Sequence, residues 1–421
     1  MKRWLRFTLQ LLVILLLFAV VFSYAMFQGG FVSWFLFTAF LPFILYMLLL
    51  LVYPLDNWAA TRHLSKRIVQ AGDSVEVEVL LTRRTPFPLF YCVLEEYFPA
   101  SLKKRDTHID KFRWMSKTQE LMDERVMKRV AFPWFQRSIR YRYTLDHIPR
   151  GEHHLKSIRI KTGDFFGFIK KEHVFESAHM LIAYPYRRDL QFKEQAYSYQ
   201  QGASPSLSLS NKNTNIVAGV REYMPGDRFQ WIDWKATARK DAIMTKEFEQ
   251  EKSVDMLVVL DAGRRASQNM IAFEGAVELT DSLLAVLQKK SSQLLVKTMA
   301  DRTATFSFQQ NKVQMENIRR HLSTVMPIGQ ASFSKRLAKE QHQLPAGVIT
   351  MLVTTTLDDE LVDALARMQH KAKRVVLFFI SPSTEITAHT RKLMKQLDHR
   401  AVIVNLLTED ELSRKKFEVK V

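Results

Sequence analysis

From Phe7 to Leu55 the chain carries no charged side chain, a run of 49 residues bounded by Arg6 and Asp56. Gln28-Gly29-Gly30 divides the run into Phe7–Phe27 and Phe31–Tyr53, of 21 and 23 residues. A helix needs ~20 apolar residues to cross ~30 Å of hydrocarbon, so each half is long enough to span a bilayer. A cleaved signal peptide fits poorly, because its apolar core is usually only ~7–15 residues. Ser23-Tyr24-Ala25 is the one approach to a small-residue cleavage site. The expectation is a hairpin of two transmembrane helices, with Pro42 in the second, where membrane helices tolerate it.

Lys2, Arg3 and Arg6 precede the first span, Arg62, Lys66 and Arg67 follow the second, and the turn between them is uncharged. Basic flanks stay on the cytoplasmic side, which predicts a multi-pass protein of the cell membrane with both termini and the soluble body in the cytoplasm. At 421 residues the remainder is long enough for two domains with their own cores. A single cysteine, Cys92, excludes a disulfide framework and a cysteine zinc site. The net charge of +18 is partly local: residues 62–189 hold 25 Lys and Arg against 16 Asp and Glu, a net of +9. Beside an anionic leaflet each basic residue gains ~1 kcal/mol, so an anionic lipid surface is the expected partner of this region. The sequence contains no nucleic-acid-binding signature, and nucleic acid is not expected.

Residues 62–190 read as a β domain. Val75-Glu76-Val77-Glu78-Val79 alternates with the period of a half-buried strand. Further short strands are expected at Tyr91–Glu95, Ser138–Leu145, His154–Ile160 and His179–Tyr184, with turn residues nearby, which suggests an antiparallel sandwich. Lys103–Lys128 is polar and reads as a long loop or partly helical insertion. Within residues 191–254, Gln195–Asn215 is rich in Gln, Ser and Asn and reads as a mobile linker.

From 255 to 421 the pattern changes. Strands are expected at Met256–Leu260, Leu294–Met299, Val348–Thr354, Arg374–Ile380 and Ala401–Leu406. Between them lie helical patterns at Phe273–Gln288, Val313–Val325, Leu357–Gln369 and Ile386–Leu397. This alternation predicts a doubly wound α/β sheet, whose ligands favour the carboxyl ends of the strands. No P-loop, GxGxxG, HExxH or GxSxG pattern occurs, and no catalytic residues are assigned. His153 and His154 point to opposite faces of a strand and cannot easily share a metal, so both read as surface or strand-end residues. Ser204, Ser206, Ser208 and Ser210 read as loop polarity.

One dense segment remains, Gly219-Val220-Arg221-Glu222-Tyr223-Met224-Pro225-Gly226-Asp227-Arg228-Phe229-Gln230-Trp231-Ile232-Asp233-Trp234-Lys235-Ala236-Thr237-Ala238-Arg239. Pro225-Gly226 suits the centre of a type II turn, and Asp227 can accept backbone N–H groups beside it. Arg221, Lys235 and Arg239 have Glu222, Asp227 and Asp233 as partners within reach, and Trp231 and Trp234 supply apolar area. The residues of interest are therefore Arg221, Tyr223, Gly226, Asp227, Asp233, Trp234, Lys235 and Arg239, read either as a clamp docking the box on the α/β domain or as a binding surface. The segment closely resembles the signature box of the bacterial domain-of-unknown-function family fifty-eight (DUF58), with Gln230 where the family usually has Arg. A two-helix anchor, a β domain ending near Gly163-Asp164-Phe165-Phe166-Gly167-Phe168, the box and an α/β domain follow in family order.

The resemblance implies that the α/β domain is von Willebrand factor A-like. Many such domains hold a divalent cation through Asp-x-Ser-x-Ser after the first strand, with a Thr and an Asp from later loops, oxygen ligands that suit Mg²⁺. Here the stretch reads Asp261-Ala262-Gly263-Arg264-Arg265, which keeps only the aspartate. Asp261 is thus a degenerate metal position: no metal and no cofactor are expected, and one of these arginines is expected to pair with it instead. The resemblance also implies a MoxR-type AAA+ ATPase as partner. The expected role is a non-enzymatic interaction or assembly protein at the cytoplasmic face, with a cell-envelope enzyme or a purely structural membrane scaffold as alternatives. For the topology, a reporter active only outside the cytoplasm, fused after Val421, is expected to stay silent; strong activity there refutes the orientation.

Overall fold

The computed structural model describes residues 2–117, 121–122, 124–193, 217–224, 227, 229–240, 242–248, 256–264, 268–289, 293–308, 312–329, 332–341 and 344–420. The expected linker at 195–215 lies outside them. The chain divides into two compact units, Met1–His108 with Gln119–Tyr186, and Ile109–Thr118 with Arg187–Val421.

The first unit begins with two helices, α1 (Lys2–Gln28) and α2 (Phe31–Val52), both long and apolar enough to cross a membrane. They are joined by Gly29 and Gly30 at φ values of 47° and 137°, where only glycine is free of strain. Eight strands follow: β1 (Trp58–Leu64), β2 (Ile68–Gln70), β3 (Val75–Arg83), β4 (Cys92–Tyr97), β5 (Val126–Ala131), β6 (Ser138–Leu145), β7 (Gly151–Gly163) and β8 (Lys170–Tyr184). They form a sheet of order β1-β3-β6 and a second of order β2-β8-β7-β4-β5, mostly antiparallel, with β2 parallel to β8. The alternation in β3 is realised: Val75, Val77, Val79 and Leu81 are buried, while Glu76 lies exposed between them. Both sheets contribute to one core with Leu94, Ile139, Tyr141, Leu155 and Ile160, the layer arrangement of a sandwich.

That core does not stop at the strands. Ile14 of α1 and Ile44, Met47, Leu50 and Leu51 of α2 belong to the same cluster. The last turn of α2 also ends on a lysine: Lys171 Nζ of β8 donates to the carbonyls of Leu50 at 3.3 Å, Leu51 at 3.0 Å and Tyr53. These carbonyls lack helical partners, and a cation there also complements the helix dipole.

The sandwich encloses an ion pair. Arg62 of β1 is 2% exposed and contacts Glu96 of β4, which also accepts from the Tyr143 hydroxyl. The register of β7 and β8 slips between Leu155 and Ser157, and Arg62 Nη1 donates to the carbonyls of Leu155 at 3.1 Å and Ser177 at 2.7 Å at that slip. One guanidinium therefore answers both a buried carboxylate and main-chain acceptors freed by a bulge.

In the second unit, β9 (Leu190–Lys193) pairs with the C-terminal strand. A hairpin of β10 (Val217–Glu222) and β11 (Met244–Phe248) encloses a 3₁₀ turn, Phe229–Trp231, and α3 (Trp234–Lys240). The main sheet then contains β12 (Met256–Asp261), β13 (Leu294–Met299), β14 (Thr303–Phe308), β15 (Ile349–Thr354), β16 (Arg374–Ile380) and β17 (Ile403–Leu407). Its order is β14-β13-β12-β15-β16-β17, with every pairing parallel except β13–β14. Its helices are α4 (Met270–Leu287), α5 (Lys312–Thr324), α6 (Phe333–Glu340), α7 (Asp359–Gln369), α8 (Ala388–His399) and the short α9 (Glu409–Leu412), ahead of β18 (Phe417–Lys420).

The expected strands and helices of this sheet are present within a few residues, and β14, α6, β9 and β18 are additions. The polar insertion is partly helical, with a 3₁₀ turn at Asp110–Trp114. Its segment Ile109–Thr118 belongs to the second unit, where Lys111 pairs with Glu278 and Phe112 lies against Gly275, both on α4.

Removing one partner of a buried ion pair costs ~3–5 kcal/mol, whereas replacing both by apolar groups is often neutral. Arg62→Met alone is therefore expected to lower the melting temperature of the detergent-solubilised chain strongly. The Arg62→Met, Glu96→Leu double variant is expected to regain part of the loss, because the Leu155 and Ser177 carbonyls and the Tyr143 hydroxyl lose their partners. A single variant that melts like the wild type contradicts this account of the sandwich.

Candidate functional site

Two places in the second unit carry the residues that the sequence singles out. The first is the carboxyl end of β12, beside the point where strand order reverses between β12 and β15, a common ligand position in open α/β sheets. Asp261 is 3% exposed. Its Oδ2 accepts from Thr354 Oγ1 at 2.8 Å and Thr356 Oγ1 at 3.3 Å, and its Oδ1 accepts from the Gly263 N–H at 3.0 Å.

Gly263 explains the rest of the arrangement. A Cβ at this position would lie 1.9 Å from Arg336 Nη2 and 3.2 Å from Asp261 Oδ1. The guanidinium of Arg336, on α6, thus fills the volume that a side chain at 263 would need, next to the aspartate. Its Nη1 donates to the carbonyl of Ala300. Of the two arginines expected here, Arg264 is exposed and Arg265 lies outside the described residues; the guanidinium beside Gly263 is that of Arg336 on α6, 75 positions after Asp261. Chain proximity to Asp261 pointed to the adjacent arginines, but the fold brings α6 back to the strand end.

The donor set does not fit a divalent cation. Position 263 supplies no oxygen, and the space beside Asp261 is taken by a guanidinium, whose positive charge opposes a second cation there. Among the described residues, no group of three or more His, Cys, Asp or Glu side chains converges to hold a metal. Beside this cluster lies a cavity of about 170 Å³ lined by Gln268, Asn269, Thr355, Thr356, Ser381 and Glu385 among others. A larger groove of about 690 Å³ runs over the sandwich, but Glu78 there is already engaged by Arg140 at 2.8 Å and Arg142 at 3.3 Å. Salt-bridged surface charges of this kind are ordinary solvated polarity.

The second place is the signature box. Arg221 Nη2 meets Asp227 Oδ1 at 2.7 Å, and Asp227 Oδ2 accepts from the Met224 N–H at 3.0 Å. The Arg221 guanidinium holds the Asp227 carboxyl below the usual range. The Asp227 N–H donates to the Met224 carbonyl at 3.0 Å, the bond that closes a four-residue turn. Gly226 and Pro225, at its centre, lie outside the described residues. Tyr223 donates its N–H to Ile243 O, and its ring lies 6.2 Å from that of Phe229. Asp233 caps α3, its Oδ1 accepting from the N–H groups of Lys235 at 3.1 Å and Ala236 at 3.0 Å. Lys235 and Arg239 are exposed.

Three large apolar residues of the box do not behave as a clamp would require. Trp234 is 70% exposed, Phe229 78% and Met224 64%. The buried area expected of Trp234 is absent, because α3 presents that ring outward. The polar residues fix the hairpin; Ile232 and Met244 are buried in it, while Trp234, Phe229 and Met224 remain on the surface.

The histidine pair divides as alternation requires. His154 is exposed, but His153 is fully buried rather than at the surface, with Nδ1 2.9 Å from Ser101 Oγ and Nε2 2.7 Å from the Pro149 carbonyl. Burial pushes its imidazolium pKa down.

A family model described as "Protein of unknown function DUF58" matches residues 219–418. The Bacillus subtilis (strain 168) protein described as "Uncharacterized protein YeaD" is 34% identical over 414 residues, covering 98% of both chains. Among solved structures, the PilB minor pilin from Streptococcus sanguinis aligns over 77% of this chain and 85% of its own, at 8% identity and a TM-score of 0.29. BslA, a bacterial hydrophobin, aligns over 30% of this chain and 97% of its own, at 12% identity and a TM-score of 0.17. Scores this low establish neither fold nor function.

The geometry at Gly263 is directly testable. The clashing atom is the far end of a flexible side chain, so Gly263→Ala is expected to displace Arg336 rather than unfold the protein, at a cost of ~1–2 kcal/mol. In an Arg336→Ala background the same substitution is expected to cost almost nothing, a non-additivity that a double-mutant cycle reads directly. Additive costs contradict the placement of Arg336.

Proposed function

This chain belongs to the DUF58 family, and from that premise we propose that it is a membrane-anchored, non-enzymatic interaction protein. In this reading α1 and α2 cross the cell membrane, both units face the cytoplasm beside anionic lipid, and the partner is a MoxR-type AAA+ ATPase. The basic flanks of the helices support the orientation, and the likeness of the signature box to the family supports the partner. Numbering the six main strands in chain order gives 3-2-1-4-5-6, the doubly wound order, with an antiparallel third strand. This order supports reading the second unit as von Willebrand factor A-like.

The observation that carries the proposal is the Arg336 guanidinium beside Asp261 where a metal-dependent domain of this kind needs oxygen ligands. A fixed cation at the carboxyl edge of the sheet suits recognition of a partner's carboxylate by charge-assisted hydrogen bonds. A guanidinium only donates hydrogen bonds and acts as neither base nor nucleophile, which favours binding over catalysis.

The full-length chain, recovered from native membranes in mild detergent, is expected to bring a MoxR-type ATPase with it, equally with and without chelator. Arg336→Glu is expected to reduce that recovery severalfold at an unchanged level of chain in the membrane. Loss of the ATPase on chelation overturns the metal-independent mode. Wild-type chain that comes out alone favours the scaffold reading.

A further inference from the structure

The first unit carries an exposed aromatic surface that none of the chemistry above uses. Phe165, Phe166 and Phe168, in the turn between β7 and β8, are 74%, 48% and 49% exposed. Phe132, Trp134 and Phe135, after β5, are 75%, 52% and 53% exposed. The two loops form one patch through Phe90, whose ring lies 5.7 Å from Trp134 and 6.2 Å from Phe165.

The turn is built to hold its rings outward. Asp164 is 1% exposed and accepts from the N–H groups of Phe166 at 3.0 Å and Ile169 at 2.5 Å. Gly167 has φ 79°, and a Cβ at Gly163 would lie 2.5 Å from the Ile169 carbonyl. Such a fixed loop with three solvent-facing phenylalanines costs solubility unless something apolar meets it.

What meets it follows from the contacts along the helices. Glu172 of β8 pairs with Arg6 at 3.5 Å, the last charge before the uncharged run. Two residues nearer the tip, the Lys170 carbonyl accepts from Gln10 Nε2 at 3.3 Å, one helical turn further into that run. The tip continues in the same direction, and the Phe166 ring lies 5.8 Å from Phe43 of α2. Phe43 stands nine residues before the end of α2 at Val52, ~14 Å along its axis. The aromatic tip therefore reaches the level of apolar helix surface.

We propose that the loops Phe132–Phe135 and Phe165–Phe168 are embedded in the interfacial layer of the phospholipid bilayer that α1 and α2 cross. The inference rests on the membrane-anchored reading above. Aromatic rings favour this layer, and the exposed Arg84, Arg137 and Lys170 near the same loops suit its phosphates. The occupant of the patch is lipid, because the patch is continuous with the lipid-facing side of α2. The sandwich would then be fixed against the membrane by its own tips as well as by the helices.

The test uses the full-length chain with Cys92→Ala, reconstituted in phosphatidylcholine–phosphatidylglycerol vesicles. A nitroxide is placed in turn at Phe165→Cys, Phe135→Cys, Leu16→Cys in α1 and Glu76→Cys on the sandwich. Collision with oxygen, which concentrates in lipid, is compared with collision with a water-soluble nickel chelate. The labels at 165 and 135 are expected to fall between 16 and 76, with an oxygen-to-nickel ratio severalfold above that at 76. Labels at 165 and 135 that match 76, while 16 reads as lipid, overturn the inference and leave the anchor intact. A label at 16 that is itself open to nickel overturns the anchor and the inference together. Spin broadening at 165 that disappears on dilution with unlabelled chain shows that a second copy covers the patch, and overturns lipid as its occupant.

Discussion

The apolar helices and the sandwich share one core, and this continuity constrains everything else in the first unit. Leu50 and Leu51 of α2 are buried among residues of both sheets, and Lys171 of β8 closes the helix on its last carbonyls. A helix end buried without such partners would leave several acceptors unsatisfied, at a cost comparable to lost hydrogen bonds. Lys171 removes that cost while fixing β8 to α2. The β7–β8 turn then has only one direction in which to extend, alongside the helices, and its contacts with Gln10 and Phe43 follow from that direction. A flexible tether would allow a soluble domain to tumble; a shared core with a capped helix end does not.

Both units also bury charge, and in both the charge is answered locally. In the sandwich, Arg62 serves Glu96 and the carbonyls at the β7–β8 slip. In the second unit, α4 is buried on nearly every face and carries Glu278 and Asp281 inward. Lys111 meets Glu278, while Arg187 and Arg319 meet Asp281 at 3.1 and 3.4 Å. Such pairs add little net stability over apolar residues, but an unpaired member is strongly unfavourable. They therefore act as a register: the segment carrying Lys111 packs correctly against α4 only when its ammonium reaches Glu278.

Much of this architecture was legible because burial follows periodicity. Alternation in Val75–Val79 marked a strand with one face inside, and the continuous apolar run Met256–Leu260 marked a strand covered on both sides. The missed elements carry the same signals over short stretches. Thr303–Phe308 alternates Ala304, Phe306 and Phe308 with polar residues over only six positions, and α6 sets its stripe with just Phe333 and Leu337. For Lys103–Lys128 the sequence leaves a long loop or a partly helical insertion open; the stretch contains a 3₁₀ turn at Asp110–Trp114, and its order depends on partners far away in sequence, such as Glu278. The signature box was legible as a turn and a capped helix, since Asp227 and Asp233 act on neighbouring N–H groups. The exposure of Trp234 was not, because a large aromatic side chain reads as core wherever its tertiary environment is unknown.

The cluster at Asp261 shows the same limit more sharply. Loss of two serines could be read directly from Asp261-Ala262-Gly263-Arg264-Arg265, but the identity of the replacing cation could not. Arg336 reaches the strand end because α6, after β14 and α5 in the chain, returns to it, and Gly263 is what leaves room for the guanidinium. A bound ion and a guanidinium differ in more than charge. An ion dissociates and accepts ligands from several directions, whereas a guanidinium is covalently retained, planar, and restricted to donating hydrogen bonds. In the proposed binding mode a partner's carboxylate would meet a cation whose presence does not depend on free metal. Its position would then depend on the room that Gly263 leaves for the flexible side chain of Arg336.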